Sequence, residues 1–356
     1  MPHFTLVNTN YYRRFKNTDV FETIFKHILD IAIEKRFINM KEVYIDSTHV
    51  KANANKKKFV KQELKKEKKI CEDELFEAIN EDRKKHNKKP LKKKENEKYV
   101  LKKISKVDPE SGFFVKGEKE KCFAYSAHTA VDNKGFVIDV KVTPGNIHDS
   151  QGFHLLYDRI MEQHSENINS FVMDVAYKTA VISKKILDDT KLPILPYKRP
   201  MTKKGFFKKY EYQYDAEDDL YICPNNKKLK YSTTSREGYK NYKSNPKDCV
   251  NCPFLHKCTK SNNHQKVVSR HIWAESLEYA EELRSTQYHK IVYRKRKETV
   301  ERVFGEGKEN NSLRYTRYKG KKKNQDYLTL LFACMNMKKI ALWSDKNEKR
   351  AKNRLG

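Results

Sequence analysis

The chain has 356 residues and 37% of them are hydrophobic, so it is long enough for one large domain with an insertion or for two domains. With 76 Lys and Arg against 47 Asp and Glu, its formal net charge is +29. This excess favours a polyanionic partner, first of all nucleic acid, over a merely soluble basic protein or a membrane-surface protein.

The sequence gives no sign of a membrane or secreted protein. No segment approaches the ~18 consecutive apolar residues of a membrane span, and the N-terminus lacks the apolar centre of a signal peptide. We therefore expect a cytoplasmic protein whose cysteines are reduced.

The N-terminal part predicts a helix and then a strand. Residues 20–37 carry apolar side chains at helical spacing, and Asp19 stands where a cap is expected. Residues 43–52 are β-branched and aromatic and predict a strand with Asp46 near its middle. Residues 55–105 are dominated by lysine and predict a charged helical excursion. The sequence leaves open whether this excursion is a solvated linker or a surface that contacts the DNA backbone.

The next part predicts a hairpin followed by alternating helices and strands. Two apolar runs within 121–143 flank an Asn-Lys-Gly turn, which is typical of a β-hairpin. A helix near 151–162 leads to a short buried strand within 170–177, which ends on Asp174. The apolar run 192–197 predicts a fifth strand. A hairpin followed by such units gives an α/β fold, a mixed sheet flanked by helices.

The C-terminal part predicts an insertion and then helices. Residues 203–270 are polar, rich in Tyr and contain cysteines, whereas 276–309 and 322–343 have helical patterns. The last helix should pack on the core through its apolar face, which comprises Leu328, Leu330, Leu331, Phe332, Met335 and Ile340.

Three carboxylates are candidate ligands of a divalent metal. Asp46 and Asp174 lie in short apolar strands, where a charge is costly unless it is paired or bound to metal. Each alone is more often a strand-end cap or an ion-pair partner. Helical spacing places Glu301 on roughly one face with Lys297 and Lys308, a pattern that surface salt bridges also produce. Phosphoryl transfer on polynucleotides uses two divalent ions held by such oxygen ligands.

A cluster of cysteines lies within the predicted insertion. Cys223, Cys249, Cys252 and Cys258 include one Cys-x2-Cys pair, a pattern compatible with tetrahedral structural zinc. His256 could replace one of the cysteines. Buried, inert thiols are the alternative.

Several other polar residues lie near the predicted strands. His128 fits a sheet histidine with satisfied hydrogen bonds, and Asp149 fits a helix cap, although its loop could also line an active site. Tyr177, Tyr315 and Tyr318 are set among basic residues, where stacking on bases and ordinary packing are equally consistent with the sequence.

Four blocks of the chain resemble bacterial insertion-sequence DDE transposases. They read YIDSTHVKANANKKK, CFAYSAHTAVDNKGFVIDVKVTPGNIHDS, FVMDVAYKT and TVERVFGEGKENNSLRYTRYKG, and the likeness covers roughly residues 11–343. The resemblance implies an RNase H-like fold in which Asp46, Asp174 and Glu301 form the catalytic triad and bind Mg²⁺ or Mn²⁺. It also favours zinc at the cysteine cluster.

The same resemblance implies double-stranded DNA as partner, both transposon ends and target, and a homodimer in the bacterial cytoplasm that joins the nucleoid when bound to DNA. Lys308 matches the family's lysine seven residues after the catalytic Glu, which contacts the transposon end. The basic residues that we expect at DNA are Arg296, Lys297, Lys308, Arg314 and Arg317.

Two features depart from the family pattern. Many relatives carry Tyr and then Arg four residues before the catalytic Glu, whereas this chain has Lys297 there and its Tyr-Arg pair, Tyr293 with Arg296, is one residue out of register. The likeness also begins close to where the N-terminal end-binding region of such transposases finishes, so we expect a shortened copy. The expected function is DNA cleavage and strand transfer of an insertion sequence. The alternatives are an inactive, truncated DNA-binding remnant and a nuclease without strand transfer.

These predictions define a domain plan. Residues 1–40 would be a residual N-terminal helical region, and 41–202 the first part of the catalytic core, including the excursion 55–105. Residues 203–275 would be the Cys-rich insertion and candidate zinc module. Residues 276–356 would complete the core with the Glu-bearing helix and the C-terminal helix.

Overall fold

The computed structural model describes residues 9–65, 72–93, 99–118, 120–199 and 201–355. The chain forms two compact units, one within residues 1–66, 98–196 and 280–356 and the other within 67–97 and 197–279. None of the described helices combines the length and apolar content needed to cross a membrane.

The first unit is a mixed α/β structure. Its strands are β1 (Glu42–Lys51), β2 (Phe59–Lys65), β3 (Tyr99–Ser105), β4 (Gly112–Lys116), β5 (Glu120–Val131), β6 (Val137–Pro144), β7 (Ser170–Val172) and β8 (Leu192–Ile194). In the labels used here, its helices are α1 (Val20–Glu34), α3 (Asp149–His164), α4 (Ala180–Asp188), α8 (Gln287–Arg294), α9 (Val300–Asn310) and α10 (Lys321–Leu355). The predicted mixed sheet with helices is confirmed.

The main sheet of the first unit has the order β6-β5-β1-β7-β8, and β4 also pairs with the beginning of β5. β5 runs antiparallel to β1 and β6, as the predicted hairpin requires. β7 runs parallel to β1, and β8 runs parallel to β7. β1 is therefore an interior strand with an antiparallel neighbour on one side and a parallel neighbour on the other.

The sheet is covered by amphipathic helices. Phe153, Leu156 and Ile160 recur at helical spacing on α3 and are fully buried. On α10, the predicted core face is confirmed except at Leu330, which is exposed. Asp19 occupies the N-cap position of α1 as predicted, but its side chain makes no capping hydrogen bond.

The lysine-rich excursion is not simply helical. β2 and β3 pair antiparallel as a two-stranded sheet, from Phe59 opposite Ser105 to Lys65 opposite Tyr99. Helix α2 (Glu72–Lys85) lies between them in sequence. The two strands were not predicted because each gains its hydrogen bonds from a partner far away in the chain. The predicted excursion also includes residues 66–71 and 94–98, which lie outside the described residues.

The second unit contains α2 and an antiparallel sheet in the order β13-β12-β11-β10-β9. These strands are β9 (Gln213–Asp215), β10 (Leu220–Ile222), β11 (Lys228–Thr234), β12 (Tyr239–Ser244) and β13 (Val267–His271). Two short helices follow β12, namely α5 (Pro246–Val250) and α6 (Leu255–Cys258), and α7 (Ala274–Leu283) returns the chain to the first unit.

A small aromatic core and one carboxylate hold the second unit together. Tyr221 and Tyr242 pack with Leu229 and others in a buried cluster. Asp219 accepts hydrogen bonds from the Tyr214 and Tyr242 hydroxyls at 2.6 and 2.5 Å. It also contacts His86 Nε2 at 2.6 Å, just beyond the end of α2. This contact ties the lysine-rich excursion to the cysteine-bearing sheet.

Candidate active site

Two of the predicted carboxylates are positioned by neighbouring strands of the main sheet. Asp46 lies in β1, opposite Thr129 of β5. Asp174 follows β7, which ends at Val172, so the predicted strand ending on Asp174 was two residues too long. The Asp174 carboxylate accepts a hydrogen bond from Ala176 N at 2.5 Å and caps a short 3-10 helix. Asp174 is therefore held by the turn that ends its strand.

The third carboxylate lies in the first turn of α9. Val300, Val303 and Phe304 are buried against the core, which turns Glu301 to the opposite side, where its side chain is 45% exposed. Lys297 lies in the 3-10 turn before α9, not on the helix itself. The helical spacing predicted for Lys297 is therefore wrong, because the helix begins only at Val300.

A single guanidinium joins two of these carboxylates. Arg296 Nη2 donates to Asp46 Oδ2 at 2.5 Å, and Nη1 donates to Glu301 Oε1 at 2.9 Å. Arg296 is itself buried, with 8% of its surface exposed. Residues 250 positions apart in the chain are thus brought onto one cation.

The charges of all three carboxylates affect the pKa of Tyr293. Burial raises the pKa of its phenol, and the guanidinium of Arg296 lowers it. Asp174, Glu301 and Asp46 then raise the pKa of the phenol further by charge repulsion. The three carboxylates predicted from the sequence therefore act on the same side chain and lie in one region of the first unit.

The pKa of Asp46 is shifted by its surroundings. Burial raises its pKa to about 6, and the neighbouring Asp174 and Asp149 add to the rise. Arg296 and the Ser47 amide oppose it. A carboxylate held so far from water gains strongly from a nearby cation.

A further carboxylate, Asp149, belongs to this site and was left undecided by the sequence. The helix cap that we considered for it is made instead by His148, whose side chain accepts from the Ser150 amide. Asp149 accepts a hydrogen bond from the Ser47 hydroxyl at 2.6 Å, and Ser47 is the neighbour of Asp46. The only sequence signal was the position of Asp149 in a loop before a helix.

His128 lies beneath this group. Its Nε2 contacts Thr143 Oγ1 at 2.9 Å, and its Nδ1 lies 4.0 Å from the Asp149 carboxylate without a hydrogen-bond partner among the described residues. Burial lowers the pKa of His128 to about 4. A β-carbon at Gly152 would overlap the ring, so this glycine gives the histidine its space.

Tyr177 is enclosed at the same place. Its ring is fully buried, so it cannot stack on a DNA base. Burial raises the pKa of its hydroxyl, and Asp149, Asp46 and Asp174 raise it further, while the neighbouring Ser47 hydroxyl lowers it. Within the described residues the hydroxyl has no hydrogen-bond partner of good geometry. Tyr177 is therefore a buried neighbour of these carboxylates.

The basic residues expected at DNA lie close to α9 in the chain. Burial lowers the pKa of Lys308, and Arg314 and Lys116 lower it further, while the charge of Asp46 raises it. Arg314 binds Glu309 at the surface, and Lys297 and Arg317 are exposed.

Lys51, at the end of β1, pairs with Tyr315 through a parallel bridge and stands 5.4 Å from its ring.

The donors fit a hard divalent cation, although no closed site is formed. Within the described residues, no three His, Cys, Asp or Glu side chains are grouped closely enough to hold a metal ion. The guanidinium of Arg296 instead provides the positive charge between Asp46 and Glu301. Carboxylate oxygens are the ligands that Mg²⁺ and Mn²⁺ prefer.

The four clustered cysteines all lie in the second unit and are free thiols. Burial raises the pKa of Cys258, and the nearby Cys249 and Cys223 raise it further. Cys258 contacts the Tyr212 hydroxyl, and Cys252 accepts from Asn225 at 3.5 Å. Cys223 accepts from Lys227 N at 3.3 Å, and Cys249 donates to the Ser244 hydroxyl at 3.3 Å. As placed, these thiols do not form a tetrahedral group, and zinc binding stays a prediction from their spacing.

Part of the chain is similar to a known protein family. Residues 222–341 match the family model described as a transposase DDE domain. The matched residues include Glu301 and the cysteine cluster but neither Asp46 nor Asp174. No curated protein and no solved structure matches the chain. The match supports the assignment of the chain to a DDE transposase family.

Proposed function

We propose that the chain is a DDE transposase that cleaves DNA and transfers the cut strand of an insertion sequence. Asp46, Asp174 and Glu301 are its catalytic carboxylates. The observation that carries the proposal is the convergence of these distant residues: Asp46 and Glu301 both bind Arg296, and Asp174 directly follows the strand β7 that pairs with the strand of Asp46. The family match over residues 222–341 supports the same conclusion independently.

The proposed fold of the first unit is RNase H-like. Three antiparallel strands, β6, β5 and β1, followed by the parallel strands β7 and β8, support this assignment. In that arrangement Asp46 lies on the central strand and Asp174 follows the adjacent parallel strand. The 203–275 insertion and the other parts of the domain plan remain proposals on the same basis.

Asp46, Asp174 and Glu301 would hold Mg²⁺ or Mn²⁺. When bound, such ions activate the attacking water or 3′-hydroxyl and neutralise charge on the scissile phosphate. Arg296 would have to release at least one carboxylate, since its guanidinium occupies oxygens of both. Asp149 would keep Asp46 in place through the Ser47 hydroxyl.

The proposed DNA contacts are the five basic residues of the Glu301 region. Lys297 and Arg317 are exposed, and Lys308 is half-buried in a positive environment that a phosphate would relieve. Such contacts position the duplex and carry little sequence information. A homodimer acting on paired transposon ends is part of the proposal and rests on the family resemblance.

A second candidate, an inactive DNA-binding remnant, is favoured by one observation. The described residues contain no assembled group of three metal ligands, and Arg296 neutralises two of the carboxylates. A chain locked in this state would keep its DNA-binding charge and cleave nothing.

The test is cleavage of plasmid DNA in the presence of Mg²⁺ or Mn²⁺. We expect the intact chain to cleave, and we expect Asp174→Ala and Glu301→Gln to bind DNA without cleaving it. Glu306→Gln is the matched control, because Glu306 lies on the same helix and only pairs with Lys338 at the surface. Cleavage that survives in Asp174→Ala would overturn the assignment, and a silent intact chain would favour the remnant.

Strand transfer needs its own substrate. A labelled duplex with a pre-cut 3′-hydroxyl end should become joined to a target plasmid. Cleavage without joining would identify a metal-dependent nuclease instead of a transposase.

A further inference from the structure

The second unit carries an open groove of about 670 Å³ along β11 and β12 and the turns beside them. One carboxylate lines it, Asp248, against a larger set of lysines. These lysines are Lys88, Lys227, Lys228, Lys230 and Lys243. All of them are exposed, so the groove presents an excess of positive charge to solvent.

Little in the protein neutralises this charge. Lys228 lies 3.3 Å from Asp218, and both side chains are exposed, so this pair is weak. In the described part of the chain, the other lysines of the groove form no ion pair. The groove therefore presents positive charge that the ion pairs of the described residues leave largely unbalanced.

The strand register brings two of these lysines together. Lys230 of β11 stands directly opposite Lys243 of β12. Like charges at directly opposed positions destabilise an antiparallel pair. Lys228 lies on the same face as Lys230, two residues earlier on its strand. Three lysines on one sheet face therefore repel one another until an anionic partner lies over them.

The remaining lining suits a phosphate backbone. Asn226, Ser232 and Gln265 add uncharged polar groups, which commonly contact phosphate and sugar. Tyr231 also lines the groove, and its position is fixed because its ring stacks on His86 at 3.7 Å and its hydroxyl contacts Thr234. The lining offers no free aromatic side chain that would anchor a protein segment.

We propose that this groove binds the phosphate backbone of double-stranded DNA, in addition to the basic residues around Glu301. The identity of the partner rests on the proposed function. The binding itself is measured without metal, so the groove and the catalytic assignment can fail separately.

The experiment measures how DNA affinity depends on salt. The full-length chain is titrated with a fluorescent duplex of mixed sequence in EDTA, and the slope of log K against log [salt] is compared among variants. The double variant Lys230→Gln with Lys243→Gln should make this negative slope less steep. The change should be about 0.9 for each phosphate that the protein no longer neutralises, or roughly 2 in total. The corresponding double replacement by Arg keeps the charge and should keep the slope.

A matched control removes the same charge elsewhere in the second unit. Lys203 and Lys204 are exposed and do not line the groove, so their double replacement by Gln should leave the slope nearly unchanged. An equal decrease of the slope in this control would overturn the proposal, because any two lysines would then suffice. It would also be overturned if the groove variant bound DNA normally but no longer bound polyglutamate, which would identify an acidic protein segment as the ligand.

Discussion

Replacing Asp46 with Asn should stabilise the folded chain at neutral pH while abolishing cleavage. The Asp46 side chain is 18% exposed, and burial raises its pKa from 3.8 to about 6. Asn resembles the neutral form of the group and does not lose hydration of a charge. The variant therefore separates the cost of burying this carboxylate from its proposed role.

The magnitude follows from the two pKa values. Below pH 3.8 the group is neutral in both states, whereas between about 4 and 6 only the folded chain keeps the proton. Stability from this group is therefore lost as pH rises through that window. At about 1.4 kcal/mol per pH unit, the charged form costs roughly 3 kcal/mol at neutral pH. Because Asn also leaves Arg296 less well neutralised, we expect a net gain of about 1–3 kcal/mol.

The assay is urea unfolding of the intact chain and the variant at several pH values. The gain should appear at pH 7 and vanish near pH 4. Asp139→Asn is the matched control, since burial also raises the pKa of Asp139 to about 6 beside Arg159, away from the proposed triad. It should stabilise the chain similarly and leave cleavage intact. A variant at Asp46 that is less stable at pH 7 would refute the reasoning, because the ion pair would then outweigh desolvation.

Two further predictions concern the surroundings of the site, and a third concerns the cysteines of the second unit. Arg296→Gln should lower the free energy of unfolding by about 2–3 kcal/mol because two carboxylates lose their shared cation. In a thermal melt, Mg²⁺ should restore part of this loss. The control Arg302→Gln, on the exposed face of α9, should change stability little. Gly152→Ala should cost about 1–3 kcal/mol in urea unfolding, because the new methyl group overlaps the buried His128 ring; an unchanged midpoint would show that the ring moves freely. We expect the purified chain to contain one zinc ion by elemental analysis and the Cys249→Ser variant to contain none. A metal-free intact chain would show that the cysteines are inert thiols.

The sequence predicted those parts of the fold that depend on local patterns. The buried run of β1, the hairpin of β5 and β6 and the amphipathic face of α10 are all visible in residues close together in the chain. The pairing of β2 with β3 is not, because Phe59 and Ser105 are separated by the whole lysine-rich excursion. The strands β9 to β13 were also missed, since their Tyr and Lys residues resemble a polar loop in composition.

The candidate site could be anticipated only in part. The three carboxylates were found because charge in an apolar strand is costly and because their blocks resemble a family. The sequence placed Arg296 at DNA, whereas the structure buries it between Asp46 and Glu301. Whether it also reaches DNA stays a prediction. Such a pairing depends on side chains brought together by the fold, which local spacing does not encode.

The most direct test of the account is a measurement of Mn²⁺ binding by electron paramagnetic resonance, made on the chain bound to duplex DNA. We predict that the intact chain binds Mn²⁺ and that Asp46→Asn, Asp174→Asn and Glu301→Gln each weaken this binding, whereas Asp139→Asn does not. Undiminished Mn²⁺ binding in Asp174→Asn would contradict the claim that the three carboxylates form one metal site.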